Sequence, residues 1–315
     1  MNVHEILAAS LQNRSEDKFV QKVKNIDEIN LSKLVAPCIV QRKEDGVYCA
    51  IIFDGTDVLA VSRTGKPLSN ITHPCKGWFS QPGVYICEVT NSKLSLEELS
   101  GVVNPNRVNS IDKATEILMS RYTLYWFHDY IRIPSFIGGA EDRTYTERWC
   151  NTQQFVVGVG AYFAAALVQT VFLGADFLDK FERHAQHWIN HGAEGAVLKQ
   201  SKEHWKAGAK DFRMVKRVRG LAVDLECTGF EYGKGKREGG CGALVFQYKG
   251  KEFRADLGKG WTDALRAVLT PENTIGKVFC VKALQESSQG VLRLPKVQEK
   301  RIDKGIQDDT NLPKC

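Results

Sequence analysis

Two blocks of short, alternating apolar runs constrain this chain more than any other feature. The first begins at Val35 with APCIVQRK, GVYCAIIF and DVLAVSR, broken by Asp54-Gly55 and closed by Thr64-Gly65. Short runs rich in Val, Ile and aromatic residues, punctuated by turn residues, read as strands. GVYICEVT follows, announced by Pro82-Gly83, and TLYWFHDYI supplies an aromatic strand. The second block starts after Gly220 with LAVDLECTGF, GALVFQY, KEFRADLG, KVFCVKALQES and GVLRLPKVQEK, and holds one helix-like piece at 261–269.

Five short strands in so short a segment suit a small barrel of the OB type. Between the blocks, 94–101 and 111–120 are helix-like, and the apolar spacing from Thr144 to Ile189 predicts two helices. The most apolar run, Ala161 to Ala175, contains Gln169 and Thr170. It falls short of the roughly 20 apolar residues a membrane span needs, so it reads as a buried helix. GAVLK and DFRMVKRV return to strand. At 315 residues the chain is long enough for two domains. The pattern divides it into a polar, mostly helical lead-in (1–34), a first domain (35–219) and a barrel with its tail (220–315). The expected class is α+β: antiparallel sheets with helices, then a small β-barrel.

Hydrophobic content of 43% supports a sizeable core. A net charge of +6 suits a polyanionic partner without requiring one. Nine cysteines without a C-x-x-C pair predict free thiols in a reducing compartment and argue against a zinc module. The N-terminus MNVHEILAAS has no basic region before its apolar run, so no signal peptide is expected. The expectation is a soluble, cytoplasmic protein, monomeric by default.

The strongest local signal is Lys43-Glu44-Asp45-Gly46, lying between two predicted strands. A lysine attacks phosphorus only as the neutral amine, so burial or nearby cations must lower its pKa. Alone, K-x-D-G also describes a charged turn. Further along come Glu88 in YICEVT, Glu194-Gly195-Ala196-Val197-Leu198-Lys199, Lys216 in FRMVKRV and Arg301-Ile302-Asp303-Lys304.

Taken in order, from about Val35 to Lys304, these motifs resemble those of the covalent nucleotidyltransferases, and among them the compact ATP-dependent DNA ligases of bacteriophages. The resemblance implies a nucleotidyltransferase domain of ATP-grasp-like antiparallel sheets followed by an OB domain. It implies ATP and Mg²⁺ as cofactors, and nicked duplex DNA as partner in replication, repair or recombination. Lys43 would form a lysyl-AMP, with Gln41 reaching the adenine edge from the same strand face. Arg63 would meet the nucleotide or the 5′-phosphate. Glu194, and with it Glu88, would hold the metal; Glu88 could instead hold the ribose. Lys199 and Lys216 would contact the α-phosphate and help keep the Lys43 amine neutral. Phe127 is the choice for the ring stacked on adenine, with His128 and Trp126 open. Arg301, Asp303 and Lys304 would orient the leaving pyrophosphate.

Two positions depart from the family pattern. Tyr48 stands where many ligases have arginine, and no alternating lysine pair surrounds Lys216, leaving Arg213 or Arg217 as the second cation. From Lys199 to Arg219 there are eight lysines or arginines against Glu203 and Asp211, an electrostatic footprint for phosphates. The glycine-rich EYGKGKREGG offers a second basic candidate, and Trp205 and Trp261 read as core residues before base-stacking ones. An RNA ligase is the alternative, disfavoured by the barrel-like ending. A capping enzyme is made less attractive by Tyr145-x-x-Arg148, and a nicotinamide-dependent ligase by the missing zinc cysteines. A nucleic-acid-binding OB protein with a dead catalytic domain is opposed by the intact Lys43, Glu194, Lys199 and Lys216.

Overall fold

The computed structural model describes residues 1–12, 14–71, 76–156, 164–166, 169–287, 289–308 and 310, with 164–166 and 169 described by their backbone. The chain forms two compact units, Met1–Val218 and Arg219–Cys315.

The first unit is built on two five-stranded sheets. One has the order Lys24–Asn25, Met214–Val218, Gly195–Gln200, Cys38–Lys43, Gln169–Phe172. The other runs Val58–Val61, Val47–Phe53, Gly83–Asn91, Thr123–Ile131, Ala164–Ala166. Alternation along each strand gives every sheet two faces. In the first sheet Cys38, Val40, Ala196, Leu198 and Val215 pack under the amphipathic helix Phe177–Asn190, which buries Phe177, Phe181 and Ala185 against them. The residues between them, among them Gln41, Lys43, Lys199 and Lys216, therefore share the opposite face.

In the second sheet Cys49, Ile51, Tyr85, Cys87, Val89, Tyr125 and Phe127 form a core covered by the helices Leu96–Val102 and Lys113–Tyr122. Its other face packs Ala50, Ile52, Val84 and Ile86 against Val3, Ile6 and Leu7 of the helix Val3–Gln12, with Phe136 and Trp205. Residues 1–34 are thus integral to this unit rather than a separate lead-in: the first helix fills its core, and Lys24–Asn25 pairs in parallel with Val215 and Lys216.

The strands expected in the first block appear as Cys38–Lys43, Val47–Phe53 and Val58–Val61, and the aromatic strand as Thr123–Ile131. Two helices do occur between Thr144 and Ile189, at Tyr145–Phe155 and Phe177–Asn190. The buried helix expected over Ala161–Ala175 is corrected wherever that run is described: Ala164–Ala166 and Gln169–Phe172 are strands. The latter is an edge strand whose Val171 is half exposed. Helical spacing gave a false reading because a short apolar run fits an edge strand equally well. Residues 157–163 and 167–168 lie outside the described part.

The second unit is a closed barrel of Leu221–Tyr232, Cys241–Tyr248, Lys251–Leu257, Lys296–Lys300 and Val278–Ala283. Its interior is filled by alternate, inward-facing residues of the strands, including Val223, Leu225, Leu244, Phe246, Phe279 and Val297. Closure pairs each strand with two neighbours and so leaves less sheet edge than an open five-stranded sheet would expose. Trp261 packs beside Phe279 on this core, and Trp205 stacks on Phe136 in the first unit, so both tryptophans serve packing.

Candidate active site

Strand register assembles the site. On the free face of the first sheet, Gln41, Val197 and Lys216 lie directly across from one another, and Lys43 lies across from Gly195. Lys43 ends its strand, and its Nζ donates to Glu194 Oε2 at 2.5 Å. Both side chains are largely withdrawn from water, 18% and 7% exposed. The backbone reinforces the pair, since Glu194 N donates to Lys43 O at 3.1 Å. Gly195 holds a φ of +152°, and a Cβ there would lie 2.1 Å from Arg217 O, so only glycine can follow Glu194 at this rung. Gly46 answers a similar constraint: a Cβ would meet Val89 O at 2.4 Å. The motif glycine lets the turn after Lys43 press onto the strand that carries Glu88.

Glu88 is presented by the second sheet, opposite Tyr48 on one side and Trp126 on the other. Loss of water pushes its carboxyl up to about 7; the cations Lys43 and Arg63 pull the other way, and Glu194 adds repulsion. Lys216 is pushed below the usual lysine range by loss of water, helped by the positive charges of Lys43, Arg63 and Lys210 and opposed by Glu194. Lys43, Glu88, Glu194, Arg63 and Lys216 thus act on one another's charge. Among the described residues, Gln41 Nε2, on a side chain 1% exposed, and the Tyr48 hydroxyl have no partner. A buried donor without a partner is costly, typically about 1–3 kcal/mol, and an acceptor from a ligand would remove that cost.

Lys199 stands apart from this group. It pairs with Ile39, four residues before Lys43 along the strand, a separation of roughly 13 Å. Its buried Nζ donates to His128 O at 3.0 Å and to the Tyr145 hydroxyl at 3.1 Å, and lies 3.2 Å from His128 Nδ1. Burial lowers it to about 7. The expected contact between Lys199 and the Lys43 region is therefore not made in this conformation.

Three further expectations are corrected. Phe127 points into the apolar core with Phe79, Tyr85 and Tyr125 and is fully buried, so it cannot stack on a nucleotide at the opposite face. A bulge explains the choice. Ile86 pairs with Asp129 and Cys87 with Phe127, leaving His128 as the extra residue, while Trp126 lies beside Glu88. The two open alternatives, Trp126 and His128, remain on the site side. Arg217 is directed to the helix side, where it binds Glu182 and Asp27, each at 2.8 Å. Arg213 is held by Asp211 and by Glu203 at 3.4 Å. The positive charges felt by Lys216 come instead from Lys43, Arg63 and Lys210, and the Arg63 guanidinium sits 5.6 Å above the Tyr48 ring.

Sequence reasoning gave no role in the site to Tyr145, Asp129 and Arg148. Arg148 donates to Asp129 at 2.9 Å in a buried pair, and the Tyr145 hydroxyl donates to His128 O at 2.9 Å. Together they clamp the start of the helix Tyr145–Phe155 onto the bulged strand. The i, i+3 spacing of Tyr145 and Arg148 on one helix face was the available signal. In the second unit Lys234, Lys236 and Arg237 of the glycine-rich segment are exposed. There too, Arg301, Asp303 and Lys304 gather around Asp224.

Comparison with known proteins finds the same fold among solved DNA ligase structures. Residues 232–301 match the family model of the DNA ligase OB-like domain. A curated relative, DNA ligase 2 of Korarchaeum cryptofilum (strain OPF8), is 28% identical over 128 residues. That match covers 39% of this chain and 18% of the relative, so the chain spans less than a fifth of that protein. Among solved structures, one named Pmar-Lig_PreS3 superposes with a TM-score of 0.74 at 18% identity, covering 90% of this chain and 67% of that one. A Lig E DNA ligase, described as binding DNA with a minimal scaffold, gives 0.67 at 16% identity, covering 90% and 98%. The ATP-dependent DNA ligase of bacteriophage T7 in complex with ATP gives 0.52 at 15% identity, covering 90% and 99%.

Proposed function

We propose that this protein is an ATP-dependent DNA ligase that seals 5′-phosphate/3′-hydroxyl nicks in duplex DNA through a lysyl-AMP on Lys43. The observation that carries the reading is the 2.5 Å contact between Lys43 Nζ and a buried Glu194, in a pocket of opposed charges with Glu88, Arg63 and Lys216. The amine must lose a proton before it attacks the α-phosphorus of ATP, and Glu194 is in position to receive it. As the N–P bond forms, the bond to pyrophosphate breaks; Lys216 and Arg63 supply positive charge for the oxygens of the transferring group. The 5′-phosphate of the nick then displaces Lys43 from the adenylate. Attack by the 3′-hydroxyl finally releases AMP.

Gln41 Nε2 supports adenine recognition, since it is a buried donor awaiting an acceptor. Trp126 and His128 are the rings proposed for stacking. The donor set also fits Mg²⁺, which commonly takes one or two carboxylates together with substrate phosphates and water. Glu194 and Glu88 would hold it, and their mutual repulsion is what a divalent cation relieves. When bound, it would add Lewis-acid stabilisation of the phosphate charge.

Asp303 and Lys304 are proposed to act on the leaving pyrophosphate in the first step only. The exposed lysines and arginines of 234–237 and the basic segment 199–219 support a phosphate-backbone partner. Free thiols at Cys38, Cys49, Cys87, Cys150, Cys227, Cys241 and Cys280 support a cytoplasmic setting, and a monomer completes the proposal. No helix among the described residues is long and apolar enough to cross a membrane.

The test is covalent labelling. Protein incubated with Mg²⁺ and α-labelled ATP or GTP should gain acid-stable label from ATP alone, and Lys43→Ala should gain none. Label persisting in that variant would identify a different nucleophile. Nicks with all-DNA or RNA-containing strands then define the substrate, and sealing of RNA ends only would overturn the DNA reading.

A further inference from the structure

Asp224 belongs to no motif, yet it is the hub of the charged cluster in the second unit. It lies on the first barrel strand and is 7% exposed. Arg301 Nη1 donates to Asp224 Oδ2 at 2.5 Å, and Lys304 Nζ donates to the same oxygen at 3.1 Å. Arg301 also donates to Asp303, Nε to Oδ1 at 3.0 Å and Nη2 to Oδ2 at 2.8 Å. Lys304 also reaches Asp308. Asp308 is itself fastened to the strand: Asp224 N donates to Asp308 Oδ2 at 2.9 Å, and Asp308 N donates to Asp224 O at 2.7 Å.

The barrel's register explains why this place is available. Leu221–Glu226 pairs with the strand Val278–Ala283 on one side, whereas pairing with Cys241–Tyr248 begins only at Cys227. The open edge at Asp224 and Glu226 is filled by the tail, with Glu226 N donating to Gln307 Oε1 at 3.1 Å.

We propose that Asp224 is a positioning residue: it presents Lys304, and through Arg301 the carboxylate of Asp303, to the pyrophosphate leaving group during self-adenylylation. The proposal rests on the ligase reading above. A lysine side chain loses much rotamer freedom when fixed in place. A carboxylate anchored on a barrel strand meets that cost before ATP arrives. Lys304 uses two of its three protons on Asp224 and Asp308, leaving one for a phosphate oxygen. Arg301 places each of its three nitrogens on a carboxylate and so acts as the brace that orients Asp303.

Asp224→Asn keeps the shape of the side chain and removes its charge. The expected result in the full-length protein is a fall of about 10- to 100-fold in the rate of lysyl-AMP formation, the size of one lost charge-assisted hydrogen bond. Sealing of a pre-adenylated nick should stay within about twofold of wild type. In a Lys304→Ala background the same substitution should cost several-fold less than in wild type, because the two residues act as a unit.

Amine-reactive labelling of Lys304, read by mass spectrometry, tests the ion pair without any catalysis. It should be faster in Asp224→Asn than in wild type. Should the Asn variant not fold, Asp224→Glu retains the charge one methylene away and should slow the first step selectively. Wild-type rates of lysyl-AMP formation, equal losses in both steps, or full additivity with Lys304→Ala would overturn the proposal. Faster labelling of Lys304 together with no lysyl-AMP even in wild type would mean that the ligase reading has failed, and the positioning role with it, while the ion pair stands.

Discussion

The two charged clusters of this protein are built on opposite principles. Around Lys43 the groups are held under electrostatic stress: Glu88 is raised to about 7, Lys216 is lowered, and Gln41 Nε2 and the Tyr48 hydroxyl have no partner among the described residues. Around Asp224 every group is relieved: Arg301 and Lys304 are pushed up and Asp303 is held down at about 2 by hydrogen bonds to one another. A cluster with unmet polar demand is arranged for something that must come and be transformed. A cluster with its demands met holds cations in a fixed attitude until they are needed. On the proposed ligase reading this contrast suits a two-stage use of the chain, with the first unit carrying the adenylate and the second assisting at one step.

The largest effect that would break the contrast lies at Glu194. Replacing it with Gln leaves the shape but removes the proton acceptor beside Lys43, and lysyl-AMP formation should fall by about 100-fold or more. A loss smaller than tenfold in single-turnover labelling would show that the stressed cluster is not the reacting one. Lys304→Ala should act next most strongly, lowering lysyl-AMP formation by roughly 10- to 100-fold while a pre-adenylated nick is still sealed. Equal losses in both assays would mean that the relieved cluster is not step-specific.

The smallest effect sharpens the comparison through stability. The folded-state pKa of Glu88 lies near 7, above its ordinary value of 4.5, so its charge opposes folding. Its contribution is most favourable below about pH 4.5 and is lost as pH rises through 7. Glu88→Gln should therefore match wild type in acid and exceed it above pH 7 by on the order of 2 kcal/mol in the unliganded protein. Thermal unfolding across pH checks this, and a destabilised variant at pH 8 would contradict the stressed environment. Adding Mg²⁺ should narrow the difference if the ion binds both carboxylates.

Much of the fold was legible because strand alternation is a local property. The placement of Lys43 with Gln41 on one strand face, and of Glu88 within a strand, followed from period-two spacing and turn residues; that the strand of Glu88 belongs to the other sheet did not. The barrel was legible for the same reason. The run from Ala161 misled because a short apolar stretch has no length or period to separate a buried helix from an edge strand.

The sequence by itself determined the order of the chemical groups, the strands that carry them and the glycines that allow Glu194 and the Lys43 turn to come close. Only the tertiary structure decided which partners hold Arg213 and Arg217, which ring leaves the core and which carboxylate holds Lys304. Those choices depend on a bulge at His128, on a helix that draws Arg217 to the far face and on a barrel edge left open at Asp224. Each is a contact between segments far apart in the chain, and local propensity carries no information about which distant partner a side chain will meet.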